Sequence, residues 1–244
     1  MTNTQQNSAT KYWAIVPAAG VGRRMKSDIP KQYLQLFGKT VIEHTVERLL
    51  ACVEIQAIVI AIDKDDSYFG DTGLMQQDRV QQAMGGTERC HSVQNALQVL
   101  QDNDNACDDD WVLVHDAARP CISIEDIQAV IDYTKQPSSI GAVLGIPVRD
   151  TMKRTNAETQ VVNTVERNNL WHAHTPQIFR LGQLQQALTQ ALAQDKHVTD
   201  EASAMEMAGV RPHMLEGKAT NIKITLPADL ELAKFFLSDT ITKS

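Results

Sequence analysis

A run of six apolar residues, AIVIAI at 57–62, constrains the fold of this chain more than any other segment. The run has no polar position and is rich in β-branched side chains, which is typical of a strand covered on both faces. Strands of this kind occur almost only in parallel sheets that have helices packed on each side. The run therefore predicts an α/β protein.

Strand and helix patterns alternate on both sides of this run. Other strands are predicted at Tyr12–Val16, Arg79–Met84, Trp111–His115, Ile140–Ile146, Pro212–Leu215 and Ile222–Thr225. Helices are predicted from the capping box at Thr40 and Glu43, at Glu88–Leu100, from the cap at Ser123, at Gly182–Gln194, at Asp200–Ala208 and from Pro227. This alternation predicts a mostly parallel, doubly wound sheet.

The first predicted strand leads into a small-residue turn, PAAGVGRRM at 17–25, with Pro30 and Lys31 behind it. The glycines of the turn are Gly20 and Gly22, and the nearby cations are Arg23, Arg24, Lys26 and Lys31. Small residues let backbone N–H groups approach a ligand, and Arg and Lys bind phosphate oxygens. Met25 stands where a dinucleotide fingerprint or a Walker A loop needs a small residue. The turn therefore predicts a polyphosphate site of another kind.

Two further polar loops follow predicted strands, at Gly85–Arg89 and Asp116–Pro120. Ligands of doubly wound sheets bind beyond the carboxyl ends of the strands, so the three loops are expected to meet in one crevice. A carboxylate there is well placed to hold Mg²⁺ or its water shell, which makes Asp116 a candidate metal ligand. The plainer alternative is that Asp116 caps a helix or pairs with Arg119.

The segment from Pro147 to Leu170 interrupts the alternation. Val148–Arg154 and Val161–Arg167 both alternate polar and apolar residues, and the polar Thr155–Gln160 joins them, which predicts a protruding β-hairpin arm. An isolated hairpin is marginally stable, so the arm is expected to pack on a partner. We predict a disordered tail at 1–11 and a single domain at 12–240, with 147–170 as a dimerisation arm.

Composition excludes several classes of protein. A net charge of −7 argues against a broad nucleic-acid surface. No apolar run approaches the roughly 20 residues that cross a bilayer, and the first ten residues lack the features of a signal peptide. The four cysteines form no close pair, which favours reduced thiols. We expect a cytoplasmic protein without nucleic-acid or membrane partners.

Seven motifs together resemble one family. They are PAAGVGRRM…PKQY, GGTERCHSV, VLVHDAARP, PVRDTMK, TPQIF, TDEASAMEMAG and NIKIT. From residue 12 to 240 the chain resembles the 2-C-methyl-D-erythritol 4-phosphate cytidylyltransferases, and HDAARP, PVRDTMK and NIKIT in order are the most specific of these signals. The resemblance implies a Rossmann-like nucleotidyltransferase fold and a homodimer whose arms interlock. It also implies transfer of CMP from CTP to the polyol phosphate, with Mg²⁺ or another divalent cation as cofactor.

The resemblance also implies roles for individual residues. Arg24 and Lys31 match transition-state stabilisers, and Arg167 and Lys223 match the pair that positions the acceptor. Other matching positions are Thr151 and Arg119 on the acceptor side, Ala18, Ala19, Gly86 and Ser92 as nucleotide contacts, and Thr175 in the substrate site. Thr87 stands where the family frequently has aspartate, so only its backbone N–H is expected to contact the nucleotide. Glu166 replaces the usual aspartate before Arg167.

Three other functions remain open from the residues alone. A cytidylyltransferase acting on another polyol phosphate, such as ribitol 5-phosphate, would share the donor-side motifs. A sugar-1-phosphate nucleotidyltransferase would use a different nucleotide, which the compact length and the arm disfavour. A non-catalytic nucleotide-binding regulator would have no need of Arg24, Lys31 and Lys223 placed around a transition state.

Overall fold

The computed structural model describes residues 10–20, 25, 29–102 and 105–241, with side chains up to residue 238. The strands are β1 (Tyr12–Pro17), β2 (Gln35–Leu36), β3 (Lys39–Thr40), β4 (Ile55–Ile62), β5 (Val80–Met84), β6 (Trp111–Val114), β7 (Ala142–Pro147), β8 (Met152–Thr155), β9 (Val161–Val165), β10 (Trp171–Arg180) and β11 (His213–Glu216). The α-helices are α1 (Val41–Leu50), α2 (Arg89–Gln101), α3 (Ile124–Thr134), α4 (Leu181–Ala193), α5 (Glu201–Met207) and α6 (Pro227–Ile241). Within the described ranges, none of these helices has both the length and the apolar character needed to cross a membrane.

A seven-stranded sheet in the order β11-β7-β10-β6-β1-β4-β5 forms the centre of the molecule. β10 runs antiparallel to its neighbours β6 and β7, and the other pairs in this sheet are parallel. The predicted mostly parallel sheet is confirmed. The carboxyl ends of β1, β4, β5 and β6 consequently lie at one edge.

The apolar run in β4 contacts a separate core on each face of the sheet. Residues 57, 59 and 61 pack with α2, α4 and α5, and residues 58, 60 and 62 pack with α1 and α3. This division follows from the strand period of two, because successive side chains point to opposite faces. The doubly wound α/β class predicted from the run is confirmed.

Both predicted helix caps are present. The Glu43 N–H donates to Thr40 Oγ1 at 3.3 Å, and the Thr40 N–H donates to Glu43 Oε2 at 2.7 Å. At α3, the Asp126 N–H donates to Ser123 Oγ at 3.1 Å. Such caps stabilise a helix by about 1 kcal/mol because they satisfy N–H groups that have no partner within the helix.

The arm is an antiparallel pair, β8 with β9, that forms a sheet of its own. All four residues of β8 are exposed, and Val161 and Val162 in β9 are 62% and 63% exposed. At its base, the Val148 N–H donates to the Leu170 carbonyl at 2.9 Å. The predicted hairpin is confirmed, and its apolar side chains contribute little to the core of this chain.

Two predictions about strands fail. Ile222–Thr225 is not a strand, because the Ile224 N–H donates to the Ala118 carbonyl at 2.8 Å and the Thr225 N–H to Asp229 Oδ2 at 2.9 Å. These bonds tie the segment to the loop after β6 and to the start of α6. The long strand β10 was not predicted at all.

The start of the chain is only partly described. Residues 1–9, which belong to the predicted tail at 1–11, lie outside the described residues. Lys11 is hydrogen-bonded, with its N–H donating to Asp110 Oδ1 at 2.9 Å and its Nζ donating to the Asn105 carbonyl at 2.6 Å.

Candidate active site

A cleft of about 200 Å³ opens at the carboxyl ends of β1, β5 and β6. Many of the residues that the sequence assigns to the site line it. They are Ala18, Ala19, Gly20, Lys31, Gly86, Thr87, Ser92, Asp116 and Lys223. The three loops expected to converge therefore do so, as the topology of a doubly wound sheet requires.

A second cavity, of about 220 Å³, is also lined by Arg89, Asp116 and Lys223. Arg119 and Thr175, both predicted substrate-side residues, line this second cavity. The shared residues place the two cavities side by side, so two substrates could meet at Asp116.

Two predicted site residues, Thr151 and Arg167, line neither cavity, and two others are not described by the structure. Gly22 and Arg24 lie outside the described residues. Thr151 and Arg167 are exposed on the arm, and the Arg167 guanidinium donates to the Arg149 carbonyl. Neither of these arm residues lines the two cavities formed by the described part of the chain.

Asp116 is the centre of an ion-pair cluster between the cavities. Its Oδ1 atom lies 3.1 Å from Arg89 Nε. Its Oδ2 atom lies 3.2 Å from Arg119 Nε and 2.9 Å from Lys223 Nζ. Burial alone would raise the pKa of the Asp116 carboxyl, but the attraction of the three cations, led by Arg89, holds that pKa well below its usual value.

A second buried carboxylate, that of Glu201, also pairs with Arg89. Its Nη1 and Nη2 atoms donate to the two oxygens of Glu201 at 2.6 and 2.9 Å, and Glu201 is only 1% exposed. Burial disfavours the charge of Arg89, yet Glu201 and Asp116 together keep its pKa above the usual value. Three cations and two carboxylates leave the cluster with one net positive charge, which suits an anionic ligand.

A series of hydrogen bonds fixes the Arg119 side of the cluster. Arg119 Nη1 donates to the Asn221 carbonyl at 2.7 Å, and Asn221 Nδ2 donates to the Thr175 carbonyl at 2.8 Å. The Asp116 N–H donates to Thr175 Oγ1 at 3.0 Å, which leaves the Thr175 hydroxyl to donate to His115 Nδ1 at 3.0 Å. Burial lowers the pKa of His115 to about 4, so the ring stays neutral and can accept this bond.

The loop after β5 requires glycine at Gly86. A Cβ built there would lie 2.2 Å from the Cβ of His91, which no real side chain allows. The Gly86 N–H donates to Ser92 Oγ at 3.0 Å, and the Ser92 hydroxyl donates to the Glu88 carbonyl at 3.3 Å. The predicted nucleotide contacts Gly86 and Ser92 are thus directly bonded to each other beside the cleft.

Two adjacent side chains, Gln32 and Lys31, each hold a separate segment at the cleft. Gln32 Nε2 donates to the Ala18 carbonyl at 2.7 Å, and Lys31 Nζ donates to the Ile224 carbonyl at 2.9 Å. The second bond explains why the Ile222–Thr225 segment lies at the cleft instead of in the sheet. It brings Lys31 and Lys223, which are distant in sequence, to one site.

Reasoning from the sequence missed three residues of this site. Arg89, Glu201 and Asn221 each lie inside a motif that carried the family resemblance, but none was assigned a role. Within TDEASAMEMAG, Glu201 looks like an ordinary acidic residue of a first helical turn, because it follows the helix cap Asp200. Arg89 and Glu201 could have been found as charged residues inside a family motif, whereas nothing in the local pattern distinguishes Asn221.

Comparison with known proteins agrees with this geometry. The family model described as 2-C-methyl-D-erythritol 4-phosphate cytidylyltransferase matches residues 12–239. A protein of that name from Vibrio vulnificus is 50% identical over 231 residues, covering 95% of this chain and 96% of the relative. One from Vibrio cholerae is 51% identical over 231 residues, covering 95% and 98%.

Solved structures of the same name have the same fold. The crystal structure of the Francisella tularensis protein is 39% identical, with a TM-score of 0.80, and the match covers 93% of this chain and 100% of that one. The Thermus thermophilus protein is 27% identical with a TM-score of 0.76, covering 94% and 100%. The chain therefore belongs to the 2-C-methyl-D-erythritol 4-phosphate cytidylyltransferase family.

Proposed function

We propose that this chain transfers the cytidylyl group of CTP to 2-C-methyl-D-erythritol 4-phosphate and releases pyrophosphate. The observation that carries the proposal is the cluster around Asp116, which presents Arg89, Arg119 and Lys223 where two cavities meet. A nucleoside triphosphate in the cleft and a phosphate monoester in the second cavity would face each other across this positive charge.

The chemistry requires positioning more than proton transfer. An oxygen of the acceptor phosphate forms a bond to the α-phosphorus of CTP, and the bond from that phosphorus to the bridging oxygen breaks as pyrophosphate leaves. Near pH 7 the monoester is already largely dianionic, because its second pKa is about 6, so no general base is needed. Catalysis then consists of orienting the two phosphates and stabilising charge on the phosphoryl oxygens.

The donor side is assigned to the first loop. We propose that the backbone of Ala18, Ala19 and Gly20, with that of Gly22, surrounds the triphosphate, and that Lys31 and Arg24 stabilise the charge that develops at the α-phosphate. Gly86, Thr87 and Ser92 would contact the base. Lys31 supports this assignment because it lines the cleft and is held there by the Ile224 carbonyl.

The acceptor side is assigned to the second cavity. We propose that Lys223, Arg119 and the Thr175 region bind the acceptor phosphate. The Lys223 side chain is 37% exposed, whereas that of Asp116 is 8% exposed, so Lys223 can turn toward an arriving phosphate while Asp116 stays in place. Asp116 thus keeps the cations at the site before the substrate neutralises them.

A divalent cation fits the same place in part. Mg²⁺ is commonly held by one or two carboxylates together with substrate phosphates, and Asp116 offers one carboxylate facing the cleft. Both of its oxygens already pair with cations, so Asp116 would offer at most one oxygen to Mg²⁺ and the triphosphate would supply ligands that do not come from the protein. When bound, the ion would neutralise charge on the phosphoryl oxygens.

We further propose a homodimer in which the arm completes the site of the other chain. Arg167 and Thr151 line neither described cavity of their own chain, and the exposed Val161 and Val162 need a covering surface. In the dimer, Arg167 of the partner subunit would join Lys223 at the acceptor phosphate.

Measuring pyrophosphate release with four nucleoside triphosphates and several polyol phosphates tests the function. We expect release with CTP and 2-C-methyl-D-erythritol 4-phosphate, and little with ribitol 5-phosphate. Lys223→Ala should abolish pyrophosphate release. Lys218→Ala is a matched control, because Lys218 lines neither cavity and its Nζ pairs with Glu125 at 3.0 Å. Equal rates for all polyol phosphates, or release that does not depend on Lys223, would contradict the proposal.

A further inference from the structure

Three side chains at the start of α2 form a cluster that the proposed reaction does not use. Glu88, Cys90 and His91 each offer one ligand atom, and these atoms all lie within 4.8 Å of one another. The Cys90 Sγ atom lies 3.8 Å from Glu88 Oε2. In a tetrahedral zinc site with bonds of about 2.0–2.3 Å, a sulfur and an oxygen ligand lie about 3.6 Å apart. One edge of such a tetrahedron is therefore nearly formed.

The burial of the three residues allows an ion to enter. Cys90 is buried, His91 is half-buried and Glu88 is exposed. The thiol thus forms the inner ligand, and the Glu88 carboxylate can close over an ion from the solvent side with a small change of rotamer. A water molecule could take the fourth position, which three-ligand zinc sites leave open.

The donor set selects the type of metal. Sulfur and imidazole ligands suit Zn²⁺, whereas Mg²⁺ prefers oxygen ligands alone. We propose that Glu88, Cys90 and His91 form a Zn²⁺ site at the rim of the nucleotide cleft, separate from the Asp116 cluster. On binding, a bond forms between the ion and the Cys90 sulfur, and the thiol proton passes to water.

Binding requires the Cys90 thiol to lose its proton, because the thiolate is the form that ligates Zn²⁺. Zinc affinity should therefore increase with pH.

The site is connected to the loop that lines the cleft. His91 lies so close to Gly86 that position 86 requires glycine. The Glu88 carbonyl accepts a hydrogen bond from the Ser92 hydroxyl. An ion held by Glu88 and His91 would therefore restrain the Gly86–Ser92 loop. Binding to the folded chain alone should also raise its melting temperature, since a ligand that binds only the native state stabilises it.

Calorimetric titration of the full, untagged chain with ZnCl₂, in buffer containing excess Mg²⁺ and no nucleotide, tests the proposal. We expect saturable binding of one Zn²⁺ per chain at this site, and a thiolate-to-metal absorption band when Co²⁺ replaces Zn²⁺. Cys90→Ala and His91→Ala should each weaken binding at least tenfold and remove the rise in melting temperature. Cys107→Ala, which removes an exposed free cysteine, should bind like the wild type.

The His91→Ala variant keeps the test valid if the buried Cys90→Ala variant fails to fold, since His91 is only half-buried. Absence of saturable binding by the wild type would overturn the site. So would wild-type affinity in a folded His91→Ala or Cys90→Ala variant, or loss of binding in Cys107→Ala. Because no substrate is present, each of these outcomes is independent of whether the proposed cytidylyl transfer is correct.

Discussion

Two four-residue strands, β6 and β8, lie next to predicted site residues but differ in their burial and in what surrounds them. All four residues of β6 are buried, and the strand ends two residues before Asp116. All four residues of β8 are exposed, and the strand begins directly after Thr151. Asp116 is held by three cations, whereas Arg167 on the arm donates to a carbonyl of the same arm.

The difference shows which half of the site one chain can build alone. A strand paired on both sides and covered on both faces fixes the position of the residue that follows it. A two-stranded arm without a core fixes only its own internal register. The described walls of the cleft and the Asp116 cluster are therefore preorganised within the chain, whereas the predicted arm residues are proposed to act only when the arm docks on another chain.

The largest expected effect comes from separating the two halves onto different chains. Lys31→Ala and Arg167→Ala should each lower kcat by roughly 10²–10³-fold, because Lys31 is proposed to stabilise charge at the α-phosphate and Arg167 to position the acceptor phosphate. Co-refolded in equal amounts, they should regain about a quarter of wild-type activity. About half of the dimers are mixed under random assortment, and one of the two sites in a mixed dimer carries neither lesion.

Native mass spectrometry of the same sample supplies the control for assortment. If mixed dimers form and no activity returns, the arm serves its own chain and the proposed exchange is wrong. If the chain is monomeric in solution, the exposure of β8 is not explained by a dimer and the proposed exchange is also wrong.

A second large effect is expected from the carboxylate behind Arg89. Glu201→Gln removes the charge of a buried carboxylate that pairs with Arg89 and should destabilise the chain by about 3 kcal/mol, measured by urea unfolding, because Arg89 is partly exposed and keeps its bond to Asp116. Glu206→Gln on the same helix α5 is the matched control, since Glu206 is exposed, and we expect a change within about 0.5 kcal/mol. Equal stability of the two variants would show that the cluster does not hold the cleft together.

Predictability from sequence follows the same division between buried and exposed parts. The β4 run, the caps at Thr40 and Ser123, and the arm were predictable because local pattern and burial agree there. Strand β10 was missed because its interior carries Thr175 and Pro176, which look like a loop, although its neighbours in the sheet hold it as a strand. The strand predicted at Ile222–Thr225 failed because long-range bonds from Lys31 and to Ala118 place that segment at the cleft.

The site shows a similar limit. Loops at strand ends could be placed together from topology alone, so Asp116 and Gly86 were found. The pairing of Arg89 with Glu201 joins residues 112 positions apart through the packing of α2 and α5, which no local pattern encodes. The surface that covers the exposed side chains of the arm is likewise not encoded in the local sequence.

The buried half of the site should also respond to pH. The pKa of His115 is lowered to about 4 by burial, so between pH 6.5 and pH 4 the unfolded chain takes up a proton that the folded chain does not. The free energy of unfolding should therefore fall with decreasing pH by roughly 3 kcal/mol over this range. The burial of His174, whose pKa is also lowered to about 4, adds to the fall.

Urea unfolding at pH 7 and pH 4.5 measures this dependence. His115→Gln should show a clearly smaller fall than the wild type, whereas His197→Gln should show the full fall because His197 is exposed. Asp116, whose pKa is held well below its usual value, adds little to the change between pH 7 and pH 4.5, because the loss of its contribution begins only as the pH falls to the ordinary carboxyl pKa of about 4. An unchanged fall in His115→Gln would contradict the role of the buried ring.

The smallest effect is expected within one loop, where the contrast between buried and exposed groups recurs. Thr87 is exposed and its hydroxyl lies 3.2 Å from His91 Nδ1, so its side chain is engaged within the loop and only its backbone is proposed to contact the nucleotide. Thr87→Ala should change CTP affinity by less than about threefold, roughly 0.7 kcal/mol, as for other surface substitutions. Ser92 is 2% exposed and accepts the Gly86 N–H, so Ser92→Ala should weaken CTP binding more, by about 1–3 kcal/mol, because the half-buried Gly86 N–H loses its acceptor. Titration of CTP into the wild type and both variants measures the two changes in binding free energy. A larger loss of affinity in Thr87→Ala than in Ser92→Ala would show that the Thr87 hydroxyl has replaced the missing carboxylate as a nucleotide contact.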